Sequence, residues 1–245
     1  NQHDANNNNN NNKLSASPPD NVLPSLLYSW KYIDYAFPTE LQRQQYLNST
    51  GPTTASPVGI RSHRTGLYVS TPRFDPVVPC NLMRVRPGSE SLSQSGGPLL
   101  DPFPSYLANQ PQGDPEFGGL SLVSSLGLAI DDRDRLWVLD NGKVFGANAP
   151  PARQPKLVIL DLNNHGAVVH IHYFPESVAP LATSFLNDLA LDVRKQIAYI
   201  SDSADPVHGA NAGVIVFDLL SDTSRRVLGA SSVTRPEPNV TVTIN

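Results

Sequence analysis

The chain has 245 residues, a formal net charge of −4 and 16% charged side chains, against about 25% in an average soluble domain. That length allows one or two domains. No basic cluster suits nucleic acid, and no apolar run nears the roughly 18 residues of a membrane helix, so neither partner is expected.

Residues 1–20, with an unbroken run of asparagine from Asn6 to Asn12, carry nothing a core could use and read as a disordered lead-in. The rest, 21–245, reads as one domain with repeats near 58–115, 118–178 and 180–230. Order is expected from about Leu23, with residues 26–37 alternating like a strand and 43–47 suited to a short turn of helix. The chain holds 23 prolines, and they mark 72–79 and 87–115 as loops. A proline-rich chain without helical periodicity favours loop-bearing β architecture.

The clearest local pattern is Leu126-Gly-Leu-Ala-Ile-Asp-Asp-Arg-Asp-Arg-Leu-Trp-Val-Leu-Asp-Asn-Gly142. Two short apolar runs around a charged turn predict a β-hairpin. In the second run Leu136 and Val138 face one way, Trp137 and Leu139 the other. A strand apolar on both faces has to be covered on both. The pattern returns as Leu189-Ala-Leu-Asp-Val-Arg-Lys-Gln-Ile-Ala-Tyr-Ile-Ser-Asp-Ser203, with Asp192 placed 61 residues after Asp131. Each copy leads to a third strand ending in Asp-Leu (Leu157-Val-Ile-Leu-Asp-Leu162 and Val214-Ile-Val-Phe-Asp-Leu219) and a fourth at 168–174 or 224–228. A weaker first copy lies at 66–70 and 81–85. Four strands in about 60 residues is the size of a β-propeller blade.

Further motifs occur in order along the chain: Trp30-Lys-Tyr-Ile-Asp-Tyr-Ala-Phe-Pro38, Pro57-Val-Gly-Ile60, Thr71-Pro-Arg-Phe74, Val78-Pro-Cys-Asn-Leu82 and Leu99-Leu-Asp-Pro-Phe-Pro104. Asp134-Arg-Leu-Trp-Val-Leu-Asp-Asn-Gly142, Pro155-Lys-Leu-Val-Ile-Leu-Asp-Leu162, Asn187-Asp-Leu-Ala-Leu-Asp192 and Ala198-Tyr-Ile-Ser-Asp-Ser203 complete the series. Together, over residues 23–245, they resemble the major royal jelly protein/Yellow family. The resemblance implies an all-β, six-bladed β-propeller, usually secreted, among whose members are dopachrome-converting enzymes and binders of small aromatic amines. About three blades are expected here, so the chain reads as a fragment, and an open half-ring is expected to self-associate.

Insect members typically carry paired cysteines near the central hairpin. Here those neighbourhoods read Phe117-Gly-Gly-Leu120 and Asp132-Arg-Asp134, so those disulfides are missing. The ending Ser224-Arg-Arg-Val-Leu228, Arg235-Pro-Glu237 is similar to the cysteine-poor members outside insects. One cysteine, Cys80, excludes a disulfide within the chain and reads as a buried thiol. Asn48-Ser-Thr and Asn239-Val-Thr are sequons that permit glycosylation in a secreted protein.

In a propeller the first strands line the channel, and Asn187 and Asp188 begin one. A carboxamide oxygen beside a carboxylate suits a hard cation such as calcium or a ligand ammonium, or equally a plain turn. The pair also resembles that of lactonase-type propellers. Asn187, Asp188 and Asp202 are thus candidate ligand-binding residues, the first two also candidate metal ligands. Asp140, Asn141 and Asp202 end second strands, where such side chains commonly bond loop amides. Asp161 and Asp218 hold equivalent repeat positions and read as structural. His170 and His172 share one face of the outermost strand without a visible third ligand and read as a solvated pair, and His63 and His208 fall in loops with nothing nearby to mark either as a proton carrier. Trp30, Trp137 and Tyr199 read as core; Tyr68, Phe74, Tyr106 and Phe117 flank loops and could stack on an aromatic ligand, with a core role the preferred reading for each. No Gly-x-Ser-x-Gly, His-Glu-x-x-His or phosphate-binding glycine loop is present.

Two functions follow. One is an extracellular binder of a small aromatic molecule, an amine or catechol. The other is an enzyme, either a dopachrome-type isomerase or a metal-dependent lactonase-like hydrolase. The lack of an acid/base constellation favours binding.

Overall fold

A computed structural model describes residues 25–205, 212–229 and 231–235. The Asn-rich lead-in, His208 and Asn239 lie outside the described residues. Among the described residues, twelve strands form three four-stranded antiparallel sheets, each a simple meander. The first holds β1 (Gly59–His63), β2 (Gly66–Ser70), β3 (Leu82–Val85) and β4 (Leu100–Pro102). The second holds β5 (Ser125–Ile130), β6 (Arg135–Asp140), β7 (Lys156–Asp161) and β8 (Ala167–Tyr173). The third holds β9 (Leu186–Asp192), β10 (Ile197–Asp202), β11 (Gly213–Asp218) and β12 (Thr223–Val227). The fold is all-β, and the three sheets do not close on one another. Among the described residues, no helix is long and apolar enough to cross a membrane.

The doubly apolar β6 explains the stacking. Leu136 and Val138 join Tyr68, Leu82 and Phe103 in a core between the first and second sheets. Trp137 and Leu139 join Ile200, Ile215 and Phe217 in a core between the second and third. Each side chain of this size stabilises the fold by about 1.5–3 kcal/mol on full burial. The charged turn before β6 is fixed by Asp131, whose carboxylate accepts from the amides of Arg133 and Arg135 and from Trp137 Nε1 at 2.8–3.1 Å. Asp134, at φ 57°, closes it.

The first strands β1, β5 and β9 lie side by side. Glycine permits the approach. A Cβ on Gly59 would stand 2.7 Å from the Leu126 carbonyl oxygen, and one on Gly127 would stand 2.6 Å from Asp188 Oδ1.

Four features differ from the sequence reading. Residues 26–37 do not form a strand; only Tyr35 makes an isolated bridge, to Leu100. The alternation instead marks apolar side chains, Ile33 and Tyr35, that cover the outer face of the first sheet at Met83, Val85 and Leu100. The helix α1 is longer than 43–47, spanning Glu40–Leu47, because Thr39 Oγ1 caps it by accepting from the Gln42 amide; α2 (Gly51–Thr54) follows. The proline-rich 87–115 supplies β4, and Tyr199 lies on the uncovered face of the third sheet, 42% exposed, not in the core.

Candidate functional site

Asn187 and Asp188 sit where predicted, at the start of β9, and both are exposed. Adjacent residues in a regular strand face opposite ways, so the shared exposure needs a cause. A register shift between Ile200 and Asp202 provides it, and β5 carries the same irregularity between Ser125 and Leu128. Such bulges re-aim side chains. The Asp188 amide donates to Ser201 Oγ at 3.1 Å, and its Oδ1 accepts from the Leu189 amide at 2.8 Å. Among the described residues no basic side chain pairs with this carboxylate.

Asp202 is buried behind the pair at 2% exposure. Its Oδ1 accepts from the amides of Phe185 and Ala204 at 2.8 and 2.9 Å, and Arg226 donates to Oδ2. Asp140 does the same in the second sheet. It accepts from the amides of Val123, Ser124 and Gly142 and from Lys156 Nζ at 2.5 Å. Burial pushes the Asp140 carboxyl up, but the Lys156 ammonium and these donors outweigh it and hold the group below the usual carboxylate range. The structure therefore groups Asp202 with Asp140, as clamps on the chain entering β9 and β5.

The same end of the sheets, where β5 and β9 begin and β6 and β10 finish, joins the sequence candidates Phe74 and Asn141 to side chains that no sequence pattern revealed. The rings of Phe74, Phe145 and Phe185 form a ladder with centroid spacings of 6.2 and 5.8 Å. Lys143 Nζ meets Asp205 Oδ2 at 2.8 Å, both largely buried. Asn141 Oδ1 accepts from the Leu186 amide, tying the second sheet to the third, while its Nδ2 is buried without an acceptor among the described residues. A neighbouring cavity of about 190 Å³ is lined by Val78, Pro79, Val123, Val144 and Pro151 above Arg73. The Arg73 guanidinium is spent on backbone carbonyls, including Val78 at 2.9 Å and Val123 at 2.8 Å. Phe74 is recognisable in the sequence as a candidate stacker; Phe145 and Phe185 are single loop residues that only the fold brings to it.

The remaining candidates have other placements. Tyr68 is core, and Tyr106 and Phe117 pack against apolar clusters. Cys80 is fully buried, and burial pushes its thiol up to about 12. His63 ends β1, with Nε2 2.9 Å from Asp134 Oδ1 and Nδ1 2.7 Å from Thr65 Oγ1. His170 and His172 lie on β8, the outermost strand of the second sheet and not a first strand, and Asp222 meets both.

Three stacked antiparallel meanders with adjoining first strands, bound by recurring aspartate clamps, define a repetitive all-β protein. The family model described as "Major royal jelly protein" matches residues 123–244. The chain is 29% identical over 208 residues to dopaminechrome tautomerase of Drosophila melanogaster, covering 82% of this chain and 42% of that protein. It is 31% identical over 210 residues to major royal jelly protein 7 of Apis mellifera, covering 82% and 43%. Protein yellow of Drosophila guanche is 30% identical over 182 residues, covering 71% and 30%. The chain belongs to the major royal jelly protein/Yellow family. It spans less than half the length of these curated relatives.

Proposed function

We propose that the three sheets are blades of a six-bladed propeller, and that the end bearing Asn187, Asp188 and the phenylalanine ladder binds a small aromatic amine or catechol. The observation that supports this most directly is the exposed Asp188 carboxylate on a first strand, with no cation beside it among the described residues. A ligand ammonium answers the carboxylate, and partly buried rings at Phe145 and Phe185 offer stacking and cation–π contact. Calcium would draw on the Asn187 carboxamide and Asp188, two of the six to eight oxygens it takes. An amine needs only the one charge. Family members are generally secreted, and an extracellular place for this chain fits the exposed sequon residue Asn48.

The test is calorimetric titration of dopamine and of calcium into the intact protein and into Asp188→Ala and Asn187→Ala, with melting temperatures alongside. Dopamine binding weakened at least tenfold, about 1.4 kcal/mol, at a nearly unchanged melting temperature is expected. Unchanged affinity for both ligands removes the site. The relative named dopaminechrome tautomerase supports a second, enzymatic reading, in which Asp188 is the base that moves a proton on a quinone-type ring. Turnover of dopaminechrome that Asp188→Asn abolishes while dopamine still binds would favour that reading.

A further inference from the structure

We propose that His170, His172 and Asp222 form a transition-metal site, suited to Zn²⁺, that staples the second sheet to the third. Two histidines on one strand are ordinarily a solvated pair, but here the fold supplies the missing ligand from another sheet. Asp222 lies in the β11–β12 turn, and its Oδ1 stands 2.9 Å from both His170 Nε2 and His172 Nδ1. The three ligand atoms lie within 4.8 Å of one another.

Three further observations fit ligation. The second nitrogen of His172, Nε2, is 2.9 Å from Ser224 Oγ, the outer hydrogen bond that orients a ligating imidazole and fixes its tautomer. Both imidazoles rest on Phe217, with centroids at 6.1 and 4.5 Å, so the rings are held before any ion arrives. Asp222 takes a left-handed φ of 51° and is more than half exposed, which aims the carboxylate from a fixed turn and leaves an entry path. Bonds of about 2.0–2.1 Å in a tetrahedron place neighbouring ligand atoms about 3.3 Å apart, so the two N···O pairs open by about 0.4 Å to admit the ion. Imidazole with one carboxylate suits zinc, nickel or copper better than calcium or magnesium, and a fourth position remains for water.

The site draws on the outer strand β8 and the β11–β12 turn, and on none of the residues of the proposed ligand site. The test uses the untagged, chelator-dialysed protein. Cobalt is expected to give the visible bands of four-coordinate Co²⁺ at one equivalent. Zinc at about one hundred times its dissociation constant is expected to raise the melting temperature by roughly 5–10 °C. Ser224→Ala should weaken zinc binding about tenfold while keeping one equivalent, as loss of an outer-shell partner does. Asp222→Asn, which preserves an acceptor for both imidazoles, and His170→Gln should each abolish the cobalt bands and the zinc shift. A wild-type protein without either signal, or a zinc shift that survives both substitutions, overturns the assignment.

Discussion

Replacing Asp140 with asparagine tests whether the strand-end clamps hold the stack together. The carboxylate is fully buried, takes three backbone amides, and is paired with Lys156, itself 3% exposed. Asp140→Asn keeps the shape but leaves the ammonium without a counter-charge and turns an amide NH₂ toward backbone donors. Breaking a buried pair in this way costs about 3–5 kcal/mol. For a domain of this size that is a fall in melting temperature of roughly 6–20 °C. Lys156→Met in the same chain should recover more than about 1 kcal/mol, since it removes the stranded charge. The pH dependence has a definite sign. The folded carboxyl lies below its ordinary value, so its contribution is complete above the unfolded pKa near 3.9 and is lost as pH falls toward the folded value. Thermal melts of wild type, Asp140→Asn and the double variant between pH 3 and 7 would show it. A single-variant loss under about 1 kcal/mol at pH 7, or no recovery in the double variant, refutes the clamp.

Gly127→Ala places a Cβ 2.6 Å from Asp188 Oδ1 and 2.8 Å from its Cα, so it should separate β5 from β9 at a cost of about 1–3 kcal/mol, read from denaturant midpoints. The exposed apolar edge of the first sheet and the uncovered face of the third should drive association. Val58 and Ile60 are 51% and 56% exposed beside a hollow of about 260 Å³ on the first sheet, and Tyr199 is exposed on the third. Sedimentation velocity should show concentration-dependent oligomers that Ile60→Lys and Tyr199→Lys reduce, and a monomer at every concentration contradicts this.

The second and third sheets are readable because their strands carry the signal locally. Leu136, Trp137, Val138 and Leu139 state in four residues that both faces are covered, and the spacing of Asp131 and Asp192 states that the unit recurs. The first sheet is hard to read. Its β1 is polar and half exposed, its β4 is three residues within a proline-rich stretch, and its outer face is covered by the irregular segment around Tyr35. The site is legible to the same degree. Asn187 and Asp188 sit in one motif, whereas the Phe74–Phe145–Phe185 ladder and the meeting of Asp222 with His170 join residues from separate loops and sheets. No period along the chain encodes such encounters; stacking creates them.

The repeat also sharpens what Asp188 means. Sixty-one residues earlier the equivalent position is Gly127, and that glycine is required because the neighbouring first strand packs directly onto it. Gly59 on β1 likewise stands against β5. In both earlier sheets, then, the first strand admits no side chain where it meets the next sheet, while the third presents a carboxylate from the matching place. A turn role needs only one oxygen, the Oδ1 that caps the Leu189 amide, and asparagine or serine would fill that role without charge. Asp188 Oδ1 lies against Gly127 of β5, so the carboxylate sits at the β5–β9 seam with its charge beside a backbone that has no side chain there. Burying an unpaired carboxylate at such a seam would cost several kcal/mol. Under the proposed function, a ligand ammonium meeting Asp188 there would offset that cost.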